Sequence, residues 1–168
     1  VISEKKCVGF IPSEQARPIV YILASKPMFI YRLPLGSNAY TIQVEINKKK
    51  ISPSYEQGKI SYRLSFEFRG IVLYFSENTG GRNKPLDKTT QEALKNKLIG
   101  VVEEEFMNTL KLSQNGFKAD YLGFDHEFRL KYPDVFHEMD WPEEFKNVTF
   151  EFDFKIDLVE KMSMDYDP

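Results

Sequence analysis

Residues 148–158 alternate without a break, and few folds can accommodate such a run. Val148, Phe150, Phe152, Phe154, Ile156 and Leu158 take one side; Thr149, Glu151, Asp153, Lys155 and Asp157 take the other. A period of two is that of a strand with one buried and one wet face, the pattern typical of antiparallel sheets. Two earlier runs repeat it. Tyr40, Ile42, Val44 and Ile46 oppose Thr41, Gln43, Glu45 and Asn47, and Ile60, Tyr62, Leu64, Phe66 and Phe68 oppose Ser61, Arg63, Ser65, Glu67 and Arg69. Between these runs, residues 52–58 read as a hairpin connection. Gly70 interrupts the second run and leaves the phase of 71–75 ambiguous, which predicts a bulge or bend there. Residues 6–11, ending at Pro12, and 28–33, closed by Pro34 and Gly36, add two short strands.

A sheet with one apolar face needs a cover, and residues 89–115 supply it. Leu94, Leu98, Val101, Val102, Phe106 and Leu110 recur at the three- and four-residue steps of one helical face. Thr89 with Glu92 fits a capping box, and Asn115-Gly116 a left-handed stop. A helix of about 25 residues is roughly 37 Å long. A shorter helix is predicted to start at Ser13-Glu14-Gln15 and include residues 19–23, with Pro18 in its first turns. After the long helix come short ones at 125–131 and 134–138, broken at Pro133. The expected fold is α+β: a mostly antiparallel sheet of four to five strands, with the long helix and the shorter helices on one face. One domain is expected over 1–162, with a disordered tail at 163–168.

Composition excludes several classes of function. A net charge of −2 with dispersed Lys and Arg gives no nucleic-acid footprint. The run Lys48-Lys49-Lys50 reads as a solvated strand end rather than a phosphate or membrane site. One cysteine, Cys7, rules out an internal disulfide framework and a multi-cysteine metal site. No apolar run reaches the length of a membrane span, and no signal peptide opens the chain. Val1-Ile2-Ser3-Glu4 reads as a point inside a longer protein.

No constellation points to catalysis. His126 and His137 lie near Asp120, Asp125, Glu127, Asp134 and Glu138, but their spacing fits no zinc signature. Glu103, Glu104 and Glu105 stand about 100° apart on a helix and do not converge. Glu105 alone could approach the sheet edge, without a second carboxylate to work with. Gly80-Gly81-Arg82 lacks the spacing of a P-loop, and no G-x-S-x-G turn occurs. Trp141 and Tyr132 flank Pro133 and Pro142, which suits either a stacking platform or packing of that segment against the sheet. No cofactor is expected.

The segment after the long helix carries a resemblance. Lys118-Ala119-Asp120, Gly123-Phe124 and Lys131-Tyr132-Pro133, then Trp141 and the closing strand, resemble the terminal block of the Ger(x)C family, the C subunits of spore germinant receptors. Val8-Gly9-Phe10-Ile11 and Arg17 are similar to the family's opening stretch, with Phe10 in place of a tryptophan, Ala16 of a threonine and Pro18 of a glycine. The resemblance covers about residues 6–162 and concerns the family's C-terminal domain. It implies a lipoprotein on the outer face of the spore inner membrane, acting beside membrane-embedded A- and B-type subunits, with no enzymatic activity. The membrane is touched only through a lipidated N-terminus outside this chain, because Cys7 follows Glu4-Lys5-Lys6 and not a lipobox. On this reading the interaction candidates are Gly123, Phe124, Lys131, Tyr132 and Trp141. The alternatives are a domain that senses a small-molecule germinant and a metal-dependent hydrolase built on the two histidines.

Overall fold

The computed structural model describes residues 1–3, 6–7, 9–12, 15–76 and 86–160. Four strands form the main sheet: β3 (Met28–Leu35), β4 (Asn38–Glu56), β5 (Lys59–Ser76) and β6 (Thr149–Glu160), in that order across it. A separate ladder pairs β1 (Ile2–Ser3) with β2 (Lys6–Cys7). The helices are α1 (Ala16–Leu23), α2 (Lys88–Lys111), α3 (Phe124–Lys131), α4 (Pro133–His137) and α5 (Trp141–Phe145). The expected α+β fold is what is found. The Gly80-Gly81-Arg82 loop and the tail 163–168 lie outside the described residues, as does the Cys7 side chain.

The three alternating runs place their apolar residues as expected. Tyr40, Ile42, Val44 and Ile46 of β4, and Ile60, Tyr62, Leu64, Phe66 and Phe68 of β5, are all buried under the helices. On α2, Leu94, Leu98, Val102, Phe106 and Leu110 face the sheet. Phe106 is the centre of the aromatic core, with ring centroids 4.9 Å from Phe154, 5.3 Å from Phe66 and 6.1 Å from Phe152.

The connectivity of β6 differs from the expectation. This strand pairs with β5 in parallel, from Ser61↔Thr149 to Val72↔Glu160, while β3, β4 and β5 are antiparallel. One wet face marks a sheet covered on one side only, and it says nothing about the direction of the neighbouring strand. The crossover from β5 to β6 holds all of α2 to α5 on one face of the sheet.

β4 is longer than its alternation suggested. Its register jumps from Ile46↔Phe68 to Lys48↔Glu67, so Asn47 is an extra residue, a β-bulge. The bulge reverses the phase. Beyond it Lys50, Ser52 and Ser54 pair with the outward Ser65, Arg63 and Ser61, and Lys49, Ile51, Pro53 and Tyr55 fall on the helix side. Residues 52–56 are therefore strand and not connection, and the turn is confined to Gln57 and Gly58, both at positive φ. Pro53 is tolerated because β3 pairs with β4 only as far as Glu45, which leaves this half of β4 at an edge. Pro34 likewise sits within edge strand β3 and does not end it.

Gly70 is not a bulge. It pairs regularly with Val44 and Leu158, and the second bulge falls at Leu73, between Thr41↔Tyr74 and Ile42↔Val72. A Cβ on Gly70 would lie 2.8 Å from Leu158 Cδ1 and 3.3 Å from Ile42 Cγ2. The glycine lets three strands close up beneath the core side chains.

Helix ends also depart from the expectation. Asp87, not Thr89, caps α2, accepting from the Thr90 N–H at 2.8 Å and the Thr90 hydroxyl at 2.8 Å. These bonds hold the Asp87 carboxyl below the usual carboxylate range. At the other end, α2 passes into a π-helical segment, Leu112–Phe117, and the left-handed residue is Lys118, at φ 50°, rather than Gly116.

Candidate interaction surface

The residues after α2 build a hub around one carboxylate. Asp120 Oδ1 accepts from the backbone N–H groups of Gly123 at 3.0 Å and Phe124 at 3.1 Å; Oδ2 accepts from the Asp125 N–H at 2.7 Å and the Trp141 indole N–H at 3.1 Å. Three orphan donors at the start of α3 are thereby satisfied and α5 is tied to the same point. Burial pushes the Asp120 carboxyl above its usual value, and the bonds from Asp125, Phe124 and Trp141 pull it back. Gly123 holds the turn at φ 79°, where a side chain would be strained.

Phe124 is 1% exposed and Trp141 8%. Phe124 stacks near Phe145 at 6.2 Å and meets Tyr62 at 4.9 Å, and the Tyr62 hydroxyl donates to its carbonyl at 2.5 Å. Trp141 lies 5.5 Å from Phe128 and 5.7 Å from Phe136. These side chains are turned inward and serve packing, which leaves no room for a stacking platform on Trp141. Gly123 belongs to the same hub. The two remaining candidates sit elsewhere, at the far end of the β4–β5 hairpin. The Lys131 ammonium donates to the Pro53 carbonyl at 2.7 Å, and Tyr132 lies 6.2 Å from Tyr55 and 5.1 Å from Phe128. Pro133 opens α4, where its missing N–H costs nothing.

Lys131 also borders a wide concavity. It is a groove of about 960 Å³ on the sheet face opposite the helices. Its floor is laid out by strand register: Lys50, Ser65 and Asp153 form one row, Ser52, Arg63 and Glu151 the next, and Ser54, Ser61 and Thr149 a third. Glu56 and Lys59 close the hairpin end. Arg63 bonds Glu151 at 3.0 Å, and further along Lys48 meets Glu67 at 3.0 Å and Arg69 meets Glu45 at 3.6 Å. The outer face is thus a ladder of alternating charges and hydroxyls, open to water, with none of the five helices on it.

A sequence profile described as "Spore germination B3/ GerAC like, C-terminal" matches residues 1–161. The chain belongs to that family. It is the C-terminal domain of the Ger(x)C group that the 118–141 block resembles. Spore germination protein B3 of Bacillus subtilis (strain 168) is 20% identical over 156 residues, covering 92% of this chain and 41% of that protein. Spore germination protein YndF of the same strain is 24% identical over 158 residues, covering 92% and 38%. The chain thus spans about two fifths of the length of these curated relatives. A crystal structure of the GerBC protein superposes with a TM-score of 0.76 at 21% identity, over 92% of this chain and 48% of that one, and shows the same fold.

Two polar features of this family domain were not read from sequence. The first joins α1, β3 and α2: Glu105 accepts from Arg17 at 2.5 Å and from the Tyr31 hydroxyl at 2.9 Å, and the guanidinium lies 4.7 Å from the Tyr31 ring. Glu105 does reach the sheet, and its partners are a cation and a phenol. Burial, then the neighbouring Tyr21 and Glu105, drives the Tyr31 hydroxyl far above its ordinary value. The second is Lys49, which donates to the carbonyls of Ile22 at 2.6 Å and Ala24 at 2.7 Å at the end of α1. The bulge at Asn47 puts it there, and only a shift in alternation hints at this. Both His126 and His137 are exposed, and among the described residues no group of three or more His, Cys, Asp or Glu could hold a metal.

Proposed function

We propose that this domain is a non-catalytic assembly module of a spore germinant receptor C subunit, acting beside membrane-embedded A- and B-type subunits in the response to nutrients. The observation that carries the reading is the outer sheet face. It is a concave, charged and hydroxyl-rich surface, set in register by three strands and left uncovered by all five helices. Family membership and the names of the relatives support the germination setting. The family resemblance supports attachment to the outer face of the spore inner membrane through a lipidated N-terminus; no helix among the described residues is long and apolar enough to cross a membrane. Lys131 and Tyr132 act by fixing the hairpin whose outer side forms the groove, with Gly123, Phe124 and Trp141 anchoring them from the hub.

The test is retention of this domain by detergent-solubilised membrane subunits, comparing wild type with the Lys59→Glu, Arg63→Glu pair. The Arg63 and Glu151 side chains are 65% and 62% exposed, and a surface pair of this kind contributes under about 1 kcal/mol; circular dichroism checks that the variant folds. Loss of retention is expected; retention equal to wild type would refute the outer face as the contact.

A second reading takes the groove as the seat of a small polar germinant, favoured by its rows of serine hydroxyls between opposite charges. A thermal-shift screen of amino acids, sugars and nucleosides decides it, and no stabilised ligand removes it.

A further inference from the structure

The sheet has two edges, and they are not alike. Edge strand β3 has eight residues and is interrupted by Pro34, whose carbonyl is taken by Lys97. Edge strand β6 has twelve residues, no proline, no glycine and a regular register throughout. Alternate residues of β6 turn their N–H and C=O groups away from β5. Among the described residues, hydrogen bonds from segments other than β5 reach only the Glu160 side chain at the end of the strand, from Leu86 and Gln91. Natural edges are blunted by shortness, proline, bulges, inward charges, charged edge side chains or a covering element. Among the described residues β6 has only the charged side chains of its outer side, which select a partner by charge.

Its two faces say what would pair there. On the core side Phe150 and Phe152 are only half-buried, whereas Phe154, Ile156 and Leu158 are closed off. A neighbouring strand with apolar residues on that side would complete the aromatic layer. On the outer side β6 itself carries three acids, Glu151, Asp153 and Asp157, against one base, Lys155; β5 sets Arg63 beside Glu151, Arg69 beside Asp157 and Glu67 beside Lys155, and Asp153 stands 3.8 Å from Lys155. A second copy fits less well. In antiparallel self-pairing centred on Lys155, Asp153 meets Asp157; centred on Phe154, Glu151 meets Asp157; centred on Ile156, Lys155 meets Asp157 but Glu160, already taken by Leu86 and Gln91, meets Phe152 on the core side.

We infer that the free edge of β6, over residues 150–157, accepts an extended segment of another polypeptide in which apolar residues alternate with Lys or Arg, added as a fifth strand. Backbone bonds supply affinity in this mode and the alternating side chains supply selectivity. The edge shares Glu151 and Asp153 with the outer-face groove, but it binds through the backbone groups of β6 and stands whether or not that groove is the assembly surface.

The probe is a capped octapeptide alternating valine and lysine, added to the isotopically labelled domain. Expected are chemical-shift changes centred on β6 and at least tenfold slower exchange of amides within 150–157. Binding should weaken at least tenfold in the Asp153→Lys, Asp157→Lys variant, whose sites are exposed and whose fold is checked by circular dichroism. A peptide with the same side chains and methylated backbone nitrogens should not bind. Equal binding of the methylated peptide, shifts confined to β4 and β5, or absence of saturable binding would each overturn the inference. So would sedimentation showing the domain dimerised through β6. All of these are read on the domain alone, so they succeed or fail independently of the pull-down with membrane subunits.

Discussion

Replacing Asp120 by alanine removes an acceptor shared by α3 and α5. Three backbone donors at the start of α3 lose a cap, a change of about 1–2 kcal/mol. The Trp141 indole N–H, in a side chain 8% exposed, loses its partner at about 1–3 kcal/mol. These losses overlap, because water entering for one donor serves another. The expected destabilisation is about 3 kcal/mol, and at roughly 2–4 °C per kcal/mol for a domain of this size the midpoint falls by roughly 6–12 °C. Thermal and urea unfolding followed by circular dichroism measures both. Trp141→Phe keeps most of the ring packing and deletes only the indole donor, so the two substitutions should be non-additive by at least ~0.5 kcal/mol in a double-mutant cycle. A loss under ~1 kcal/mol for Asp120→Ala, or strict additivity with Trp141→Phe, would refute the hub as the organiser of this segment.

Gly70→Ala should destabilise by about 1–3 kcal/mol in urea titration, because its Cβ would press on Leu158 Cδ1 at 2.8 Å; combined with Leu158→Val it should lose less than the sum. Burial raises the Tyr21 hydroxyl to about 12, above its unfolded value near 10. That contribution is present below pH 10 and lost as pH rises from 10 to 12, on the order of 3 kcal/mol, and Tyr21→Phe should make the fall over that window shallower, with the raised Tyr31, Tyr62 and Tyr121 keeping a residual slope. Deleting Asn47 removes the extra residue and leaves Lys48 opposite Glu67, so Lys50, Ser52 and Ser54 stay outward and a cooperative thermal transition is kept. Deleting Asn47 and Lys48 together turns Lys50, Ser52 and Ser54 toward the helices and should abolish it.

Most of the fold could be read where a single physical signal ran uninterrupted. The alternations at 40–46 and 60–68 and the three-four spacing of Leu94 to Leu110 each depend on one buried face, so burial and sequence period coincide. Legibility failed where that coincidence broke. Asn47 reverses the phase of β4, and residues 52–56 then look like a turn rich in serine and proline although they are strand. The direction of β6 was not legible because alternation reports which faces are wet and not which neighbour is paired. Gly70 was misread since a close approach of Leu158 leaves the same mark in a sequence as a bulge. As for the site, the 118–133 block was visible as a pattern, but its roles were not. Asp120 gathers donors up to Trp141, 21 residues away, and Arg17 meets Glu105 across 88 residues. Pairings at such separations leave no local trace.

The parallel seam between β5 and β6 has a consequence for how the chain acquires its structure. Arg63 and Glu151, neighbours across that seam, are 88 residues apart, so closing it carries a large loop entropy and comes late. During synthesis β3, β4, β5 and α2 emerge first, and Phe66 and Phe68 then lack the Phe154 ring that stands 5.5 and 5.7 Å from them in the finished domain. For several seconds of translation at ordinary elongation rates, β5 is itself an open aromatic edge. A ribosome stalled before residue 149 should hold a sticky, chaperone-bound intermediate, and release of β6 should convert it to a protease-resistant one.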